Sequence, residues 1–281
     1  MKLQRIFAMA AAAMLVLAFP SSAALFNHST LDGILRHYVD QDGYVDYDAV
    51  RLNSMTALES YFGTLANADL AGWPQPERTA FWINAYNAQV LYRVAQKPRL
   101  KKMSEAWGLL ELPFKVAGQT LSPVDIKHLL RKDGDPRLLF SLSDGTIGGP
   151  KLRNTAYTAE NLDGMLQANA SSFVNSAQYV KEARGHLQLS NLFKWYAKDF
   201  EKAGGAPAYI SGLLVQDQHS DFEAIQHLLT TAYKKSSFHY DWTFNDRKNK
   251  PLSLQTQKLT PHVIPPDALS TSNPDLSDES H

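Results

Sequence analysis

Two asparagines, Asn84 and Asn87, stand three residues apart in the apolar segment FWINAYN at positions 81–87. The segment has the composition of a buried helix, where an amide without hydrogen bonds costs about 1–3 kcal/mol. On a helix, Asn84, Asn87 and Leu91 share one face at i, i+3 and i+7. Either the two amides form the polar wall of a ligand-binding pocket, or they bond to neighbouring backbone and hold the fold.

Other side chains have types that suit acid–base chemistry. Asp125 and His128 lie one helical turn apart, and a carboxylate near a histidine raises the pKa of the ring and orients it. Asp144 stands in the glycine-rich loop 143–150 after a predicted strand, which is a common place for a site. The sequence therefore predicts two groups: His128 and Asp144 as candidate catalytic residues, and Asn84, Asn87 and Arg137 as candidate ligand-binding residues.

The same side chains also have structural interpretations. Asp125 occupies the capping-box position of a helix that starts after Ser122. A histidine on an apolar helix is commonly a satisfied core residue, and an aspartate in a glycine-rich loop is commonly a turn residue. We find no standard zinc or calcium spacing, so we predict no metal and no cofactor. Neither a Gly-x-Ser-x-Gly elbow nor a His-Glu-x-x-His motif is present.

The N-terminus predicts export. Lys2 and Arg5 precede an apolar run over residues 6–19, and small residues follow up to Ala23, in the order of a secretory signal. The run is short for a membrane span. We expect cleavage after residue 23 or 24, a periplasmic or secreted location, and no stable membrane insertion after cleavage.

Charge and cysteine content exclude several classes of function. The 28 basic residues balance the 28 acidic ones, and no basic stripe with interleaved aromatics is present, so nucleic acid is not an expected partner. The chain has no cysteine, which excludes thiol nucleophiles, thiolate metal sites and dithiol redox chemistry. Without disulfides, the fold depends on its core.

Periodicity predicts a helix-rich single domain of the α+β class with a small, mostly antiparallel sheet, spanning residues 24–260. Helices are predicted at 29–38, 48–65, 77–95, 123–131, 191–201 and 222–233, with another through Leu162 and Leu166. A hairpin is predicted at 114–121, strands at 138–142, 186–190 and 238–244, and a linker at 204–207. Pro, Ser and Asp dominate residues 261–281, which we interpret as a disordered acidic tail.

Six segments in order resemble the domain-of-unknown-function 547 family, over roughly residues 30–246. They are residues 37–47, the FWINAYN segment, 121–131, 135–137, 189–200 and 240–246. Family members typically carry a histidine after Asp-Pro-Arg and two loop cysteines, where this chain has Leu139, Asp144 and Gly149. If the family's chemistry uses those cysteines, this chain cannot perform it, since neither carboxylate nor glycine replaces a thiolate.

Family motifs that persist without the cysteines favour an exported, non-enzymatic binding protein. Its predicted partner is a small molecule, a peptide ligand or an envelope protein. The alternative is a hydrolase-type enzyme with His128 as base and Asp144 as its partner or as an acid. A structural role in an envelope complex is a third possibility, and it predicts a large exposed apolar patch.

Overall fold

Helices form most of the architecture in the computed structural model, which describes residues 26–106 and 108–255. Within these ranges the α-helices are α1 (Ser29–Tyr38), α2 (Tyr47–Asn53), α3 (Met55–Ala66), α4 (Gln75–Ala95), α5 (Pro123–Arg131), α6 (Leu162–Val174), α7 (Leu192–Trp195), α8 (Gly205–Leu213), α9 (Phe222–Thr231) and α10 (Leu252–Gln255). No helix in the described ranges is both long and apolar enough to span a membrane. The predicted signal segment 1–23 and the predicted tail 261–281 lie outside them.

Two small sheets accompany the helices. Their strands are β1 (Phe114–Val116), β2 (Gln119–Leu121), β3 (Val180–Ala183), β4 (His186–Ser190) and β5 (Ser237–His239). β1 and β2 form an antiparallel hairpin, while β4 pairs antiparallel with β3 and parallel with β5. The predicted helix-rich α+β class with a small, mostly antiparallel sheet is confirmed.

The buried helix α4 carries the first core cluster. Pro74 and Pro76 start the helix where their missing N–H groups do no harm. Every residue from 79 to 91 is buried, so this helix is covered on all sides. It packs against α2, α3 and α5. A second cluster, built around Phe173, Phe193 and Phe200, lies between α6, the three-stranded sheet and the helices α8 and α9.

The predicted strand at 138–142 is wrong. The chain forms a 3-10 helix over Pro136–Ser141 instead, because Asp135 caps it by accepting from the Arg137 N–H and Pro136 supplies a helical φ at its first position. The apolar run of this segment is consistent with either structure, and the local cap decides between them.

Other helix boundaries also differ from the prediction. The helix predicted over 48–65 is two helices, α2 and α3, separated at Ser54. The helix predicted over 191–201 becomes the short α7 followed by a 3-10 helix, Ala197–Ala203. The predicted linker at 204–207 opens α8, because Gly204 ends the preceding turn in the left-handed conformation with φ 83°.

A C-terminal segment, residues 241–247, binds three distant parts of the chain. Gly148 N–H donates to the Asp241 carbonyl at 2.8 Å, Met103 N–H to the Trp242 carbonyl at 2.9 Å, and Val45 N–H to the Asn245 carbonyl at 2.8 Å. A side chain at position 148 would place its Cβ 2.4 Å from the Asp241 nitrogen, so only glycine allows this approach. This segment therefore fixes the loop after the 3-10 helix.

Lys250 lies just after this segment and forms ion pairs with the loop between α1 and α2. Its ammonium contacts the Asp40 carboxylate at 2.7 Å and the Asp42 carboxylate at 2.6 Å, and the Lys250 and Asp40 side chains are each only 6% exposed. Burial opposes the charge on Asp40, but hydrogen bonding to Lys250 outweighs it, so the pKa of Asp40 lies below its usual value. The pair should therefore contribute to stability in a pH-dependent way.

We predict that Lys250→Met lowers the free energy of unfolding at pH 7 by about 3–5 kcal/mol, because it leaves a buried carboxylate unpaired. Since the folded-state pKa of Asp40 is depressed, its contribution is fully present above the unfolded-state value of about 3.9 and is lost as the pH falls through the folded-state value. The difference between wild type and variant in urea unfolding should therefore shrink in acid. Lys248→Met, at a 65% exposed side chain paired with Asp48, is the control and should cost under about 1 kcal/mol. An equal loss in both variants would contradict this account.

Candidate functional site

The Asn84 amide binds backbone. Its Nδ2 donates to the Tyr157 carbonyl at 2.7 Å, and its Oδ1 accepts from the Tyr157 N–H at 3.0 Å. The residue is 1% exposed. The amide thus satisfies both backbone groups of Tyr157, and it holds the chain before α6 against α4.

Asn87 does the same one turn later. Its Nδ2 donates to the Ser141 carbonyl and its Oδ1 accepts from the Ser143 N–H, both at 3.0 Å. The residue is 3% exposed. Both asparagines are therefore buried and bonded to backbone, as the scaffold interpretation expects, and a contact of either amide with a ligand stays a prediction.

Arg137 lies at the edge of a cavity of about 280 Å³ with apolar walls from Leu138, Leu162 and Leu166. Its guanidinium forms a bidentate contact with the Asp135 carboxylate, at 2.8–3.1 Å, and donates to the Asp163 carboxylate at 2.9 Å. Hydrogen bonding to Asp135 raises the pKa of Arg137 above its usual value. The hydrogen-bond partners of Arg137 differ from those of Asn84 and Asn87, so no shared partner joins the three predicted binding residues.

His128 is exposed on α5, and its described interaction is the charge contact with Asp125. Asp125 itself caps the helix: its carboxylate accepts from the Ser122 N–H at 2.8 Å, while Ser122 Oγ accepts from the Asp125 N–H at 3.1 Å. The predicted capping box is confirmed. No contact in the described ranges joins His128 to Asp144, so the structure lends no support to that pair.

Asp144 is half-buried and fully engaged. Its Oδ1 accepts from Thr146 Oγ1 at 2.6 Å and from the Thr146 N–H at 3.1 Å, while its Oδ2 accepts from the Tyr240 hydroxyl. A Cβ at position 149 would lie 2.4 Å from Asp144 Oδ1, so Gly149 leaves the space that the carboxylate fills. Burial and the Asp144 charge raise the pKa of Tyr240 well above its usual value, which keeps this tyrosine a neutral donor.

The residue of α5 that faces Asp144 is Lys127. Its Nζ lies 5.4 Å from the centroid of the Tyr86 ring and 5.8 Å from that of Tyr196. Burial alone would lower the pKa of Lys127, but the neighbouring tyrosine oxygens and the Asp144 carboxylate raise it overall. Lys127 is therefore an ammonium held between two aromatic faces.

Tyr86 completes the group that we call the Asp144 cluster: Asp144, Thr146, Tyr240, Lys127 and Tyr86. Burial raises the pKa of Tyr86 to about 12. Its hydroxyl lies near the Lys127 ammonium, but it is buried and forms no hydrogen bond of standard geometry with a described residue. A buried hydroxyl without such a hydrogen bond is uncommon in folded proteins.

An aromatic surface borders the cluster. It consists of Trp195, Tyr240 and Trp242, whose ring centroids are 4.6–5.6 Å apart with interplanar angles of 35–51°. Trp195 is 46% exposed. Because Tyr240 belongs to both groups, the polar cluster and the aromatic surface are continuous.

The Asp144 carboxylate is heavily hydrogen-bonded within the Asp144 cluster. Both Asp144 oxygens accept hydrogen bonds, whereas Lys127 and Tyr86 interact only with each other and with aromatic rings or charges nearby. No group of three His, Asp or Glu side chains in the described part of the chain is placed to hold a metal ion.

Sequence patterns could have indicated one of these residues. Lys127 lies on the same face of α5 as the buried residues Pro123, Ile126 and Leu130. A charged residue on a buried helix face is a signal of function. In contrast, Tyr240 is separated by 96 residues from Asp144, and no local pattern predicts that contact.

Residues 70–174 match the model of the family described as "Protein of unknown function, DUF547". The resemblance predicted from the motifs is confirmed over this part of the chain, which contains α4, α5 and Asp144. No curated protein and no solved structure matched the chain.

We predict that Asn87→Leu lowers the free energy of unfolding by about 2–6 kcal/mol, since it leaves the Ser141 carbonyl and the Ser143 N–H buried without partners at about 1–3 kcal/mol each. Urea unfolding followed by circular dichroism measures the loss. Asn53→Leu, at an exposed position on α2, is the matched control and should change stability by no more than about 0.5 kcal/mol. A wild-type-like Asn87→Leu variant would rule out the scaffold role.

Proposed function

We propose that this protein is an exported, non-enzymatic binding protein, and that its ligand is a small neutral polar molecule with one flat apolar face. The proposed site is the Asp144 cluster together with the aromatic surface. The ligand would place acceptor oxygens at Lys127 and Tyr86 and lay its apolar face on Trp195.

The observation that carries this proposal is that Lys127 and Tyr86 interact with each other but have no further hydrogen-bond partner among the described residues. An ammonium has three N–H donors, and the Tyr86 hydroxyl is the one hydrogen-bond partner of Lys127 among the described residues. The buried Tyr86 hydroxyl likewise interacts with Lys127 and has no further partner among the described residues. Incompletely satisfied polar groups beside an exposed tryptophan are typical of a ligand site.

The charges favour a neutral ligand. The Lys127 ammonium and the Asp144 carboxylate act on each other electrostatically, so the cluster has little net charge to attract an ion. The exposed Trp195 face offers a large apolar area at low conformational cost. Saccharides and uncharged peptides combine acceptor oxygens with such a face.

Two features support binding over catalysis. Asp144 accepts hydrogen bonds from Thr146 and Tyr240 on both oxygens, which leaves it poorly placed to take a proton from a substrate. His128, the base of the alternative hydrolase, is exposed and interacts with Asp125 rather than Asp144. The hydrolase remains an untested prediction.

Export is proposed from residues 1–23. We predict that the full chain, expressed in a bacterium with its own leader, yields a mature protein that starts at residue 24 or 25 in the periplasm or medium. N-terminal sequencing of the fractionated protein measures this. A protein that keeps Met1 in the cytoplasm would contradict the proposal, and a variant in which Lys2 and Arg5 are both changed to Glu should be exported less well.

The ligand proposal is tested with cellobiose, diacetylchitobiose and trialanine amide, titrated against the tryptophan fluorescence of the mature protein. We predict saturable binding of at least one probe, and a loss of about tenfold or more in affinity in Lys127→Met, which removes the donors but keeps an apolar chain of similar length. His128→Ala, at the next residue of the same helix, should bind as wild type.

Binding that survives unchanged in Lys127→Met, or none of the three probes bound by wild type, would contradict the proposed site. Hydrolysis of a probe by wild type that disappears in His128→Ala, with folding retained, would instead establish the enzyme.

A further inference from the structure

A second cavity, of about 470 Å³, lies between α3, α4 and the chain that leads into β1. Its walls are mostly apolar and include Phe62, Tyr92, Leu112 and Phe114. This volume falls in the range of small-molecule sites. None of the residues that line it belongs to the Asp144 cluster or to the aromatic surface, so it is a separate site.

Arg93 brings a buried positive charge to this cavity. The residue is 6% exposed, its Nε donates to Gln89 Oε1 at 3.0 Å, and its Nη1 donates to the Leu109 carbonyl at 2.8 Å. No carboxylate among the described residues pairs with it, and burial lowers the pKa of Arg93 below its usual value. A buried guanidinium without a counter-ion is costly and calls for a partner.

The donors that remain free point to the chemistry of that partner. Arg93 Nη2 and Gln89 Nε2 form no hydrogen bond with a described residue, although Gln89 is only 4% exposed. The two residues are one turn apart on α4 and line the same cavity. A guanidinium and an amide N–H side by side match the oxygens of a carboxylate.

The walls indicate what is attached to the carboxylate. Phe62 packs edge-on against Tyr92, with ring centroids 5.1 Å apart, and lies 6.2 Å from Phe114. Leu112, at 53% exposure, is one of the few large apolar side chains on the surface of the described residues, and it lies at this cavity. An apolar chain or ring would cover these groups.

We propose that this cavity binds an amphiphilic carboxylate, with its carboxyl group at Arg93 and Gln89 and its apolar part against Phe62, Phe114 and Leu112. The bound anion supplies the counter-ion that the chain itself does not provide. This inference is independent of the ligand proposed for the Asp144 cluster.

Octanoate and octanol are the probes, titrated calorimetrically against the mature protein, because they share a chain and differ in charge. We expect octanoate to bind about tenfold tighter than octanol or more, and Arg93→Gln to remove this preference. Lys115→Gln, at a second cation of the same cavity, is the matched control and should keep most of the preference, because an exposed charge contributes little.

Gly63 allows a second variant that does not depend on Arg93. It lines the cavity on α3, and a Cβ there meets no atom within 4 Å, so Gly63→Leu should fill the space while improving helix propensity. Octanoate binding should fall by about tenfold or more in this variant. Gly33→Leu on α1, another helical position with open space around its Cβ, should bind as wild type.

Three results would overturn the inference: octanoate binding no tighter than octanol binding to wild type, an unchanged preference in folded Arg93→Gln, or unchanged octanoate binding in folded Gly63→Leu. If Arg93→Gln does not fold, because the bond to the Leu109 carbonyl is lost, the Gly63→Leu result decides alone.

Discussion

The structure depends on burying an entire helix that contains two primary amides. α4 is covered along the whole of residues 79–91, so Asn84 and Asn87 must find their hydrogen bonds inside the protein. They find them in the backbone of residues 141, 143 and 157, which are far away in sequence. The loop that carries Asp144 and the chain that enters α6 are therefore both fixed to one rigid helix.

The opposite side of α4 explains why both candidate sites are where they are. Tyr86, Gln89 and Arg93 follow one another at i, i+3 and i+7, on the side of the helix facing away from the asparagines. The asparagine side is satisfied by backbone, whereas these three side chains keep donors without described partners. Tyr86 meets the Asp144 cluster, and two turns further on Arg93 meets the larger cavity. One helix therefore provides both the scaffold and the polar groups of two proposed binding sites.

Local rules predicted the elements whose signals are complete within a few residues. The Ser122 and Asp125 capping box and the 114–121 hairpin are examples, since each depends on near neighbours. The strand predicted at 138–142 is wrong because an apolar run of this length fits a 3-10 helix as well as a strand. Most of the candidate site could not be predicted from the sequence. Tyr240 contacts Asp144 only because the C-terminal segment is held by three distant parts of the chain. The ring chemistry of His128 makes it the predicted base, but His128 is exposed. Its neighbour Lys127 lies on the face of α5 that carries the buried residues.

The most direct measurement of the central claim is amide hydrogen exchange at Ser143 and Tyr157, the two N–H groups that donate to Asn87 and Asn84. If α4 holds both loops, these amides should open only with the whole molecule, and their free energies of opening should equal those of buried α4 amides such as that of Ile83. Exchange at rates typical of surface loops, while the α4 amides stay protected, would show that the asparagines do not hold the loops.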